Sequence, residues 1–283
     1  MDLHTVTSFR PARERADLAL APGETFVAGG TWLFGEPQPD VTGLVDLTTM
    51  PWAHLEASER GLRIGATCPI ARLVAFGRDE APAQWRAARA FPVAADSLLA
   101  SFKVWNTATV GGNIARSFAA GAMISLAAGL DGTALVWTPD GGERVVPVAE
   151  VPNGNGSSTL ARGEVLRAVD LPTAALRARF VLHRIALAEL GRAGAVVTGR
   201  LDEDGAAVFV VTAATERPVV LRFASLPSAS ALADAVSGAS GWYSDPLGAA
   251  DWRRAVSVVL AERARGDLAA PAGDGRKDRE EAG

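Results

Sequence analysis

The sequence predicts an α+β protein, with a mixed α/β first domain and a smaller second domain made of a sheet and helices. Of its 283 residues, 48% are hydrophobic, which is enough apolar material for a sizeable core divided over two packed units. In the first part of the chain, short apolar runs alternate with alanine-rich stretches. After Pro172, longer strand-like runs come first and an amphipathic helix comes last. This change in pattern places the predicted domain boundary near Pro172.

The first domain is predicted from strands that end at glycine, proline or charged residues. These strands cover residues 26–28, 44–47, 54–57, 62–66, 135–137 and 144–148. Helices are predicted where alanine-rich stretches are amphipathic, at 70–76, 81–90 and 94–102. Residues 152–159 combine proline, glycine, asparagine and serine and predict a loop. The predicted first domain spans residues 1–172.

The second domain is predicted as a three-stranded antiparallel sheet with helices. Its strands cover 180–185, 195–201 and 207–213, and the acidic turn at 202–205 is typical of an antiparallel connection. Helices are predicted at 228–236 and at 251–265, where apolar residues recur at helical spacing. From Gly266 the chain is rich in glycine, proline and charge without periodicity, which predicts a disordered tail. The prediction is therefore a second domain at 173–265 and a tail at 266–283.

Charge and hydropathy argue against two classes of partner. The formal net charge is −4 and the arginines are scattered among acids, whereas nucleic-acid binding needs clustered basic residues. The sequence has no run of about 18 apolar residues, so no transmembrane span is predicted. Its first residues lack the basic-then-apolar pattern of a secretory signal. We therefore expect a cytoplasmic protein without a nucleic-acid partner.

Metal sites are not expected on this chain. Cys68 is the single cysteine, so the chain forms no internal disulfide and holds no iron–sulfur cluster with its own thiolates. Cys68 is expected to be a buried small hydrophobe. His4, His54 and His183 lack the spacing of zinc ligands. The acidic residues at 202–204 are better explained as a solvated turn than as a cation site.

Two segments with paired glycines form the candidate binding site. The first glycine loop is Ala28-Gly29-Gly30-Thr31-Trp32, and the second glycine loop is Thr109-Val110-Gly111-Gly112-Asn113. Because glycines lack a Cβ atom, successive backbone N–H groups can point into one concavity that suits a phosphate or diphosphate. A neighbouring threonine or asparagine adds side-chain hydrogen bonds. Two such loops that converge would hold the two phosphates of a dinucleotide without basic residues.

Each glycine pair taken alone also fits a simple tight turn, which is the commoner role of glycine after a strand. Neither segment has the Gly-x-Gly-x-x-Gly spacing, so a Rossmann-type nucleotide site is not indicated. Trp32 fits a stacking contact to a ligand and ordinary core packing equally well. The residues alone leave both interpretations open for each loop, and the pair in this order is favoured as a phosphate site by what it resembles.

The order of motifs along the chain carries a family resemblance. The motifs are Phe26-Val27-Ala28-Gly29-Gly30-Thr31, Leu44-Val45-Asp46-Leu47, Leu62-Arg63-Ile64-Gly65-Ala66-Thr67, Asn106-Thr107-Ala108-Thr109-Val110-Gly111-Gly112-Asn113-Ile114-Ala115, Gly163-Glu164-Val165-Leu166 before Leu171-Pro172, and Trp252-Arg253-Arg254-Ala255-Val256. This succession resembles the FAD-binding medium subunit of the xanthine dehydrogenase and carbon monoxide dehydrogenase family, the molybdenum hydroxylases. The Thr-Val-Gly-Gly-Asn core is its most specific element.

The resemblance implies a FAD-binding domain of the vanillyl-alcohol oxidase (PCMH) type, followed by a small C-terminal α+β domain. It also implies that the two glycine loops hold the diphosphate and adjacent ribityl chain of FAD, and that Leu166 lines the flavin or adenine region. In such a complex a large molybdopterin subunit oxidises the substrate and a small subunit with two [2Fe–2S] centres carries the electrons. FAD passes them to NAD, oxygen or another acceptor, so no catalytic residue is expected on this chain.

The sequence departs from the family pattern in both loop regions. Where the family usually has a proline and, three residues later, an aspartate, this chain has Ala119 and Ala122. The first glycine loop continues Thr31-Trp32-Leu33 where the family often has Thr-Asp-Leu. Two alternatives therefore stay open: a stand-alone flavin oxidoreductase, and a degenerate assembly subunit without FAD. The first needs acid–base groups of its own, of which the chain has few; the second is opposed by the intact glycine pairs.

Overall fold

Three larger β-sheets and a two-stranded hairpin organise the described part of the protein. The computed structural model describes residues 3–98, 100–188 and 191–271. In these ranges the strands are β1 (Ser8–Pro11), β2 (Glu24–Val27), β3 (Gly43–Asp46), β4 (Leu55–Ser58), β5 (Gly61–Gly65), β6 (Thr133–Trp137), β7 (Glu143–Pro147), β8 (Pro152–Gly154), β9 (Ser157–Ser158), β10 (Val165–Pro172), β11 (Arg179–Ile185), β12 (Ala195–Leu201), β13 (Ala207–Thr212) and β14 (Val219–Phe223). The α-helices are α1 (Ile70–Ala75), α2 (Ala90–Asp96), α3 (Phe102–Trp105), α4 (Val110–Arg116), α5 (Ala122–Gly129), α6 (Thr173–Arg177), α7 (Ala229–Ser237) and α8 (Ala250–Ala269).

The first part of the chain builds two sheets over one hydrophobic core. A parallel sheet has the strand order β1-β3-β2, and an antiparallel sheet has the order β4-β5-β10-β6-β7. Apolar side chains from both sheets and from helices α1, α2, α4 and α5 share this core. β2 ends directly before the first glycine loop, and α4 begins inside the second, so the two sheets position the candidate site.

β10 is the central strand of the five-stranded sheet, and the sequence analysis did not assign it. Val165, Leu166, Ala168, Val169 and Leu171 are all at most 4% exposed. A strand covered on both faces has no polar–apolar alternation, so the period that identifies a half-buried strand is absent. Its bulge at Arg167, where the register against β6 shifts, disturbs the pattern further.

The second part of the chain forms a four-stranded antiparallel sheet in the order β11-β12-β13-β14. Helices α7 and α8 pack on it and share a second hydrophobic core with β12 and β13. The predicted α+β class is confirmed, but the predicted three-stranded sheet has one strand more. β14 was missed because it is a short edge strand that follows Arg217-Pro218, and proline breaks a strand pattern.

Helix α5 lies between these two parts. All eight of its residues are buried, and it contacts β12 and β13 as well as α2 and α4. Ser125 Oγ and Thr212 Oγ1 are hydrogen-bonded at 2.6 Å. Just after the helix, Asp131 pairs with Arg200 at 2.5 Å and with Arg222 at 2.6 Å. Because an apolar, buried helix and an ion-pair network join the two sheets, we expect the second sheet to support the region around the second glycine loop.

Two predicted boundaries differ in the structure. The helix predicted at 81–90 is instead a 3₁₀ turn, Arg86–Arg89, followed by α2. The tail was predicted from Gly266, but α8 continues to Ala269. Arg179 donates to the carbonyls of Asp267 and Leu268 at 2.8 Å, and Leu268 is 1% exposed in the second core. These contacts hold the last helical turn in place, whereas residues 272–283 of the predicted tail lie outside the described residues. The division near Pro172 stays a proposal, motivated by the two cores.

Candidate functional site

The two glycine loops lie against each other. A Cβ atom built on Gly29 would stand 1.9 Å from the carbonyl oxygen of Thr107 and 3.1 Å from the Cα of Ala108. These two residues directly precede the second loop. Since no side chain fits this gap, glycine at position 29 is what allows the loops to meet. The convergence expected from the sequence is therefore present in the fold.

The first glycine loop presents unpaired backbone donors. Gly30 has the left-handed φ of +66°, and Phe34 and Gly35 donate back to the carbonyls of Gly30 and Trp32, both at 2.8 Å, which closes the turn. Within the described ranges, the N–H groups of residues 28–33 donate to no protein acceptor. Backbone N–H groups in a half-buried turn require water or a ligand as partner. A run of such donors around a left-handed glycine is the geometry that binds phosphate oxygens.

The second glycine loop is the first turn of α4, and four of its five N–H groups already donate within the protein. Thr109 is the N-cap, and its Oγ1 accepts the N–H of Gly112 at 3.0 Å. Val110 donates to the carbonyl of Cys68 and Gly111 to that of Ala66, both at 2.9 Å. This differs from the expectation that both loops offer N–H groups to phosphate. The capping geometry and the contact with β5 use those groups, so this loop contributes shape and side chains instead.

The two glycines of the second loop have different roles. Gly111 is buried, and a Cβ atom there would lie 2.5 Å from the Cβ of Ala66. Gly112 is exposed, and a Cβ atom there would meet only Thr109 Oγ1 within 4 Å. Gly111 therefore serves helix packing, whereas Gly112 leaves a flat surface on which a ligand can lie. Asn113 accepts the N–H of Met123 at 3.0 Å through Oδ1 and so joins α4 to α5.

Trp32 of the first loop stacks on a residue that the sequence analysis did not single out. The guanidinium carbon of Arg116 lies 3.7 Å from the Trp32 ring centroid and 4.4 Å from that of Phe118. Arg116 also donates to the carbonyl of Gly156 at 2.7 Å, in the β8–β9 hairpin. Trp32 is thus packed on protein through Arg116, and its role in cofactor binding stays a prediction. Trp32 and Gly156 are 84 and 40 residues away from Arg116 along the chain, so no local sequence pattern reveals these contacts.

Leu166 is 4% exposed and belongs to the first core. The carbonyl of its neighbour Arg167 accepts the N–H of Ala66 at 3.1 Å, next to Gly111. β10 therefore passes beside the start of α4, but the side chain of Leu166 packs inward. Its assignment to the flavin or adenine region remains a proposal, which the buried position limits to shaping the wall of the site.

Ala119 and Ala122 stand where the resembling family has proline and aspartate, and both are buried, at 7% and 0% exposure. The N–H of Ala119 donates to Asn155 Oδ1 at 3.0 Å, and its carbonyl accepts the N–H of Ala213 at 2.8 Å. The segment after α4 is therefore held by the β8–β9 hairpin on one side and by the second sheet on the other. Ala122 begins α5 with an apolar side chain, so this position supplies no carboxylate to the loops.

Other titratable residues from the sequence analysis lie away from this arrangement. Cys68 is fully buried, and burial raises the pKa of its thiol to about 12, so it behaves as the expected small hydrophobe. His183 pairs with Asp267 at 2.7 Å on the second sheet and α8. Across the described ranges, no three His, Cys, Asp or Glu side chains converge as a metal site requires. In the same ranges, no helix combines the length and hydropathy needed to cross a bilayer.

A buried carboxylate anchors the strand that leads into the first loop. Glu24 begins β2 and is 8% exposed. It accepts Arg10 Nε at 2.9 Å, Arg10 Nη2 at 2.8 Å and the N–H of Ala21 at 2.8 Å. The Arg10 hydrogen bond, followed by that of Ala21, lowers the pKa of Glu24 from 4.5 to about 2. Since the folded-state pKa is the lower one, the contact stabilises the fold fully above about pH 4.5 and is lost as the pH falls toward 2.

We expect Glu24→Gln to lower the free energy of unfolding near neutral pH by up to about 3 kcal/mol, from about 1.4 kcal/mol per pKa unit. The gap between wild type and variant should shrink as the pH falls, because the wild-type carboxylate then becomes protonated. Urea unfolding at about pH 7, 5 and 3 measures this gap, and the exposed Glu59→Gln serves as the control. A gap that stays constant over this range would contradict the assignment.

Comparison with known proteins identifies what the chain is similar to. The family model for the FAD-binding domain in molybdopterin dehydrogenase matches residues 8–174. Quinoline 2-oxidoreductase from Pseudomonas putida 86 is 22% identical, with a TM-score of 0.74 over 93% of this chain and 98% of that one. Carbon monoxide dehydrogenase from Oligotropha carboxidovorans is 21% identical, with a TM-score of 0.77 over 92% and 98%.

A second carbon monoxide dehydrogenase, from Hydrogenophaga pseudoflava and lacking the Mo-pyranopterin moiety, is 20% identical, with a TM-score of 0.76 over 92% of this chain and 96% of that one. At these identities the solved structures establish the fold along nearly the whole chain. No curated protein sequence matched the chain. The expected resemblance to a molybdenum hydroxylase flavin subunit is confirmed by the family match.

Proposed function

This chain belongs to the family of FAD-binding domains in molybdopterin dehydrogenases, and from that premise we propose that it is the flavin-carrying, electron-transfer subunit of a molybdenum hydroxylase. FAD is the cofactor of this oxidoreductase family. We propose that Ala28, Gly29, Gly30, Thr31 and Trp32 hold its diphosphate with their N–H groups, and that Thr109, Val110, Gly111, Gly112 and Asn113 complete the site through the shape and side chains of their loop. The observation that carries the proposal is the close approach of Gly29 to Thr107 beside a run of free N–H groups.

The residues present fit FAD in three respects. The N–H groups of the first loop lack protein acceptors, and a diphosphate supplies oxygen acceptors there. The open surface at Gly112 allows close approach, which a Cβ atom would fill. Asn113 uses its Oδ1 on the N–H of Met123, and its Nδ2 donates to nothing in the described part of the chain. This amide nitrogen is a further donor toward the ribityl chain or the phosphates.

The electron path that we propose runs between subunits. When bound, FAD connects two-electron acceptors with one-electron carriers, and this chain binds and orients it. The only cysteine is buried and far from ionised, so iron–sulfur centres belong on a small [2Fe–2S] subunit. Substrate oxidation belongs on a large molybdopterin subunit. We place the assembly in the cytoplasm, in keeping with the composition of the chain.

Flavin uptake by the isolated chain tests the proposal. We expect the purified protein to show a flavin absorption spectrum, directly or after added FAD, and to release intact FAD on acid or heat treatment. A folded, colourless protein that takes up no FAD, alone or with its partner subunits, would support the degenerate assembly subunit. Substrate turnover by the isolated, metal-free chain would support the stand-alone flavin oxidoreductase.

A variant of the exposed loop glycine sharpens this test. We expect Gly112→Val to weaken FAD binding about 10- to 100-fold, roughly 1.4 to 2.7 kcal/mol, because its side chain fills the surface next to Thr109. Stability should fall by about 1 kcal/mol, the usual value of an N-cap, because the added Cβ would lie 2.7 Å from the capping Thr109 Oγ1, while Gly112 itself is exposed and has no left-handed φ. Titration of FAD against protein absorbance and fluorescence measures the affinity. Gly266→Val, an exposed helical glycine with nothing within 4 Å of its Cβ position, is the matched control.

A further inference from the structure

Arg116 is a half-buried cation beside the first glycine loop, and no carboxylate of the described residues pairs with it. Its guanidinium lies between the rings of Trp32 and Phe118. Its Nη1 donates to the carbonyl of Gly156, but its Nε, a buried atom, has no hydrogen-bond partner among the residues that the structure describes. Burial lowers the pKa of Arg116, and the charge of Glu36 opposes this shift only in part. Partial burial of a cation that lacks an anion is costly, and an acceptor at the Nε–Nη2 edge of the guanidinium would offset that cost.

Other arginines of this chain show how the Nε–Nη2 edge of a guanidinium binds an anion. Four of them use Nε and Nη2 together to hold both oxygens of a carboxylate. These pairs are Arg10–Glu24, Arg63–Asp170, Arg144–Glu164 and Arg265–Glu262. In Arg116 the same edge meets no carboxylate of the described residues. This fork geometry matches phosphate as well as it matches carboxylate.

The position of Arg116 selects phosphate as the anion. The guanidinium stacks on the ring of Trp32, whose own backbone N–H is one of the free donors of the first loop. Neutral N–H groups alone hold a doubly charged diphosphate with partial charges, whereas a guanidinium adds a full positive charge. The loops and Arg116 therefore form complementary parts of one anion site.

We propose that Arg116 is the cationic partner of the cofactor diphosphate, with Trp32 and Phe118 fixing the plane of its guanidinium. This inference rests on the proposed FAD-binding function. It also explains one departure from the family pattern, the replacement of a common aspartate by Trp32, because Trp32 is part of the Arg116–Trp32–Phe118 stack. The Trp32 ring binds the Arg116 guanidinium by a cation–π contact, and the arginine in turn binds the diphosphate.

Three ligands separate charge recognition from general loop integrity: FAD, ADP and riboflavin. FAD and ADP contain the diphosphate, and riboflavin has no phosphate. We expect Arg116→Met to weaken binding of FAD and ADP about 10- to 100-fold, the range of a charge-assisted hydrogen bond, and to leave riboflavin binding unchanged. Affinity for FAD should also depend less on salt in the variant, because one ionic contact is missing. Arg116→Lys should recover part of the loss.

Arg167→Met is the matched control, because Arg167 is also a half-buried cation stacked on rings, 4.7 Å from Trp52 and 5.6 Å from Trp137. We expect this variant to bind all three ligands as wild type does. Equal weakening of riboflavin and FAD by Arg116→Met would overturn the proposal in favour of a purely structural stack. So would unchanged FAD and ADP affinity. A wild-type chain that takes up no FAD overturns the proposed function and this inference together, whereas wild-type uptake with an unaltered Arg116→Met overturns the inference alone.

Discussion

Gly29→Ala should reduce FAD affinity by about 100-fold or more, roughly 2.7 kcal/mol, and lower stability by about 1–3 kcal/mol, the usual cost of overpacking. The added methyl group would stand 1.9 Å from the carbonyl oxygen of Thr107, far inside van der Waals contact. Backbone has to move, because no flexible side chain is there to yield. Either the first glycine loop turns away or residues 107–108 shift and carry the start of α4 with them.

Gly35→Ala is the control for this result. It lies in the same turn, is exposed, and its nearest neighbours, the carbonyls of Thr31 and Trp32, are 3.3 Å from the built Cβ. We expect nearly wild-type affinity from it. FAD titration together with urea unfolding separates loss of the site from loss of the fold. Undiminished FAD affinity in a folded Gly29→Ala protein would show that the junction of the two loops is not where the cofactor binds.

Those features of the site that depend on residues adjacent in sequence could be predicted. Paired glycines after β2 and at α4 mark positions where backbone approaches backbone, and the structure brings them together at Gly29. The sequence did not reveal which acceptors the backbone N–H groups of the two loops bind. Whether the N–H of Gly111 faces a ligand or the carbonyl of Ala66 depends on how β5 is placed, which is a tertiary contact.

The contacts of Arg116 were not predicted for the same reason, because they too are tertiary contacts. Arg116 lies three positions after the second loop and directly after the recognised motif, yet its partners Trp32 and Gly156 come from distant segments. The departure at Trp32 was the usable signal, since it adds an aromatic ring where the family pattern often has an aspartate. The fold class was predictable because amphipathic α8 and the strands of the second sheet are long. β10 and β14 were not, since one is buried on both faces and the other is a short edge.

The second sheet supports the site through a fully buried arginine. Arg253 on α8 is 0% exposed and donates to the carbonyls of Gly194 and Gly248 at 3.0 Å. It also contacts the carbonyl of Ala213 and the carboxylate of Asp245. Ala213 has the left-handed φ of +63°, unusual for a residue with a side chain. Its N–H reaches the carbonyl of Ala119 at 2.8 Å, so the network extends to the segment that follows α4.

Arg253→Met should therefore lower the free energy of unfolding by about 3–5 kcal/mol, because breaking a buried pair leaves Asp245 and several carbonyls without their donor. The neighbouring, exposed Arg254→Met should stay within about 0.5 kcal/mol of wild type. FAD affinity measured below the unfolding transition tells how far the effect reaches. A loss of several-fold in folded Arg253→Met would mean that the strained Ala213 positions Ala119 and, through it, the Phe118 side of the Arg116 stack. Unchanged affinity would confine the network to stability, and the second sheet would then hold α5 without adjusting the cofactor loops.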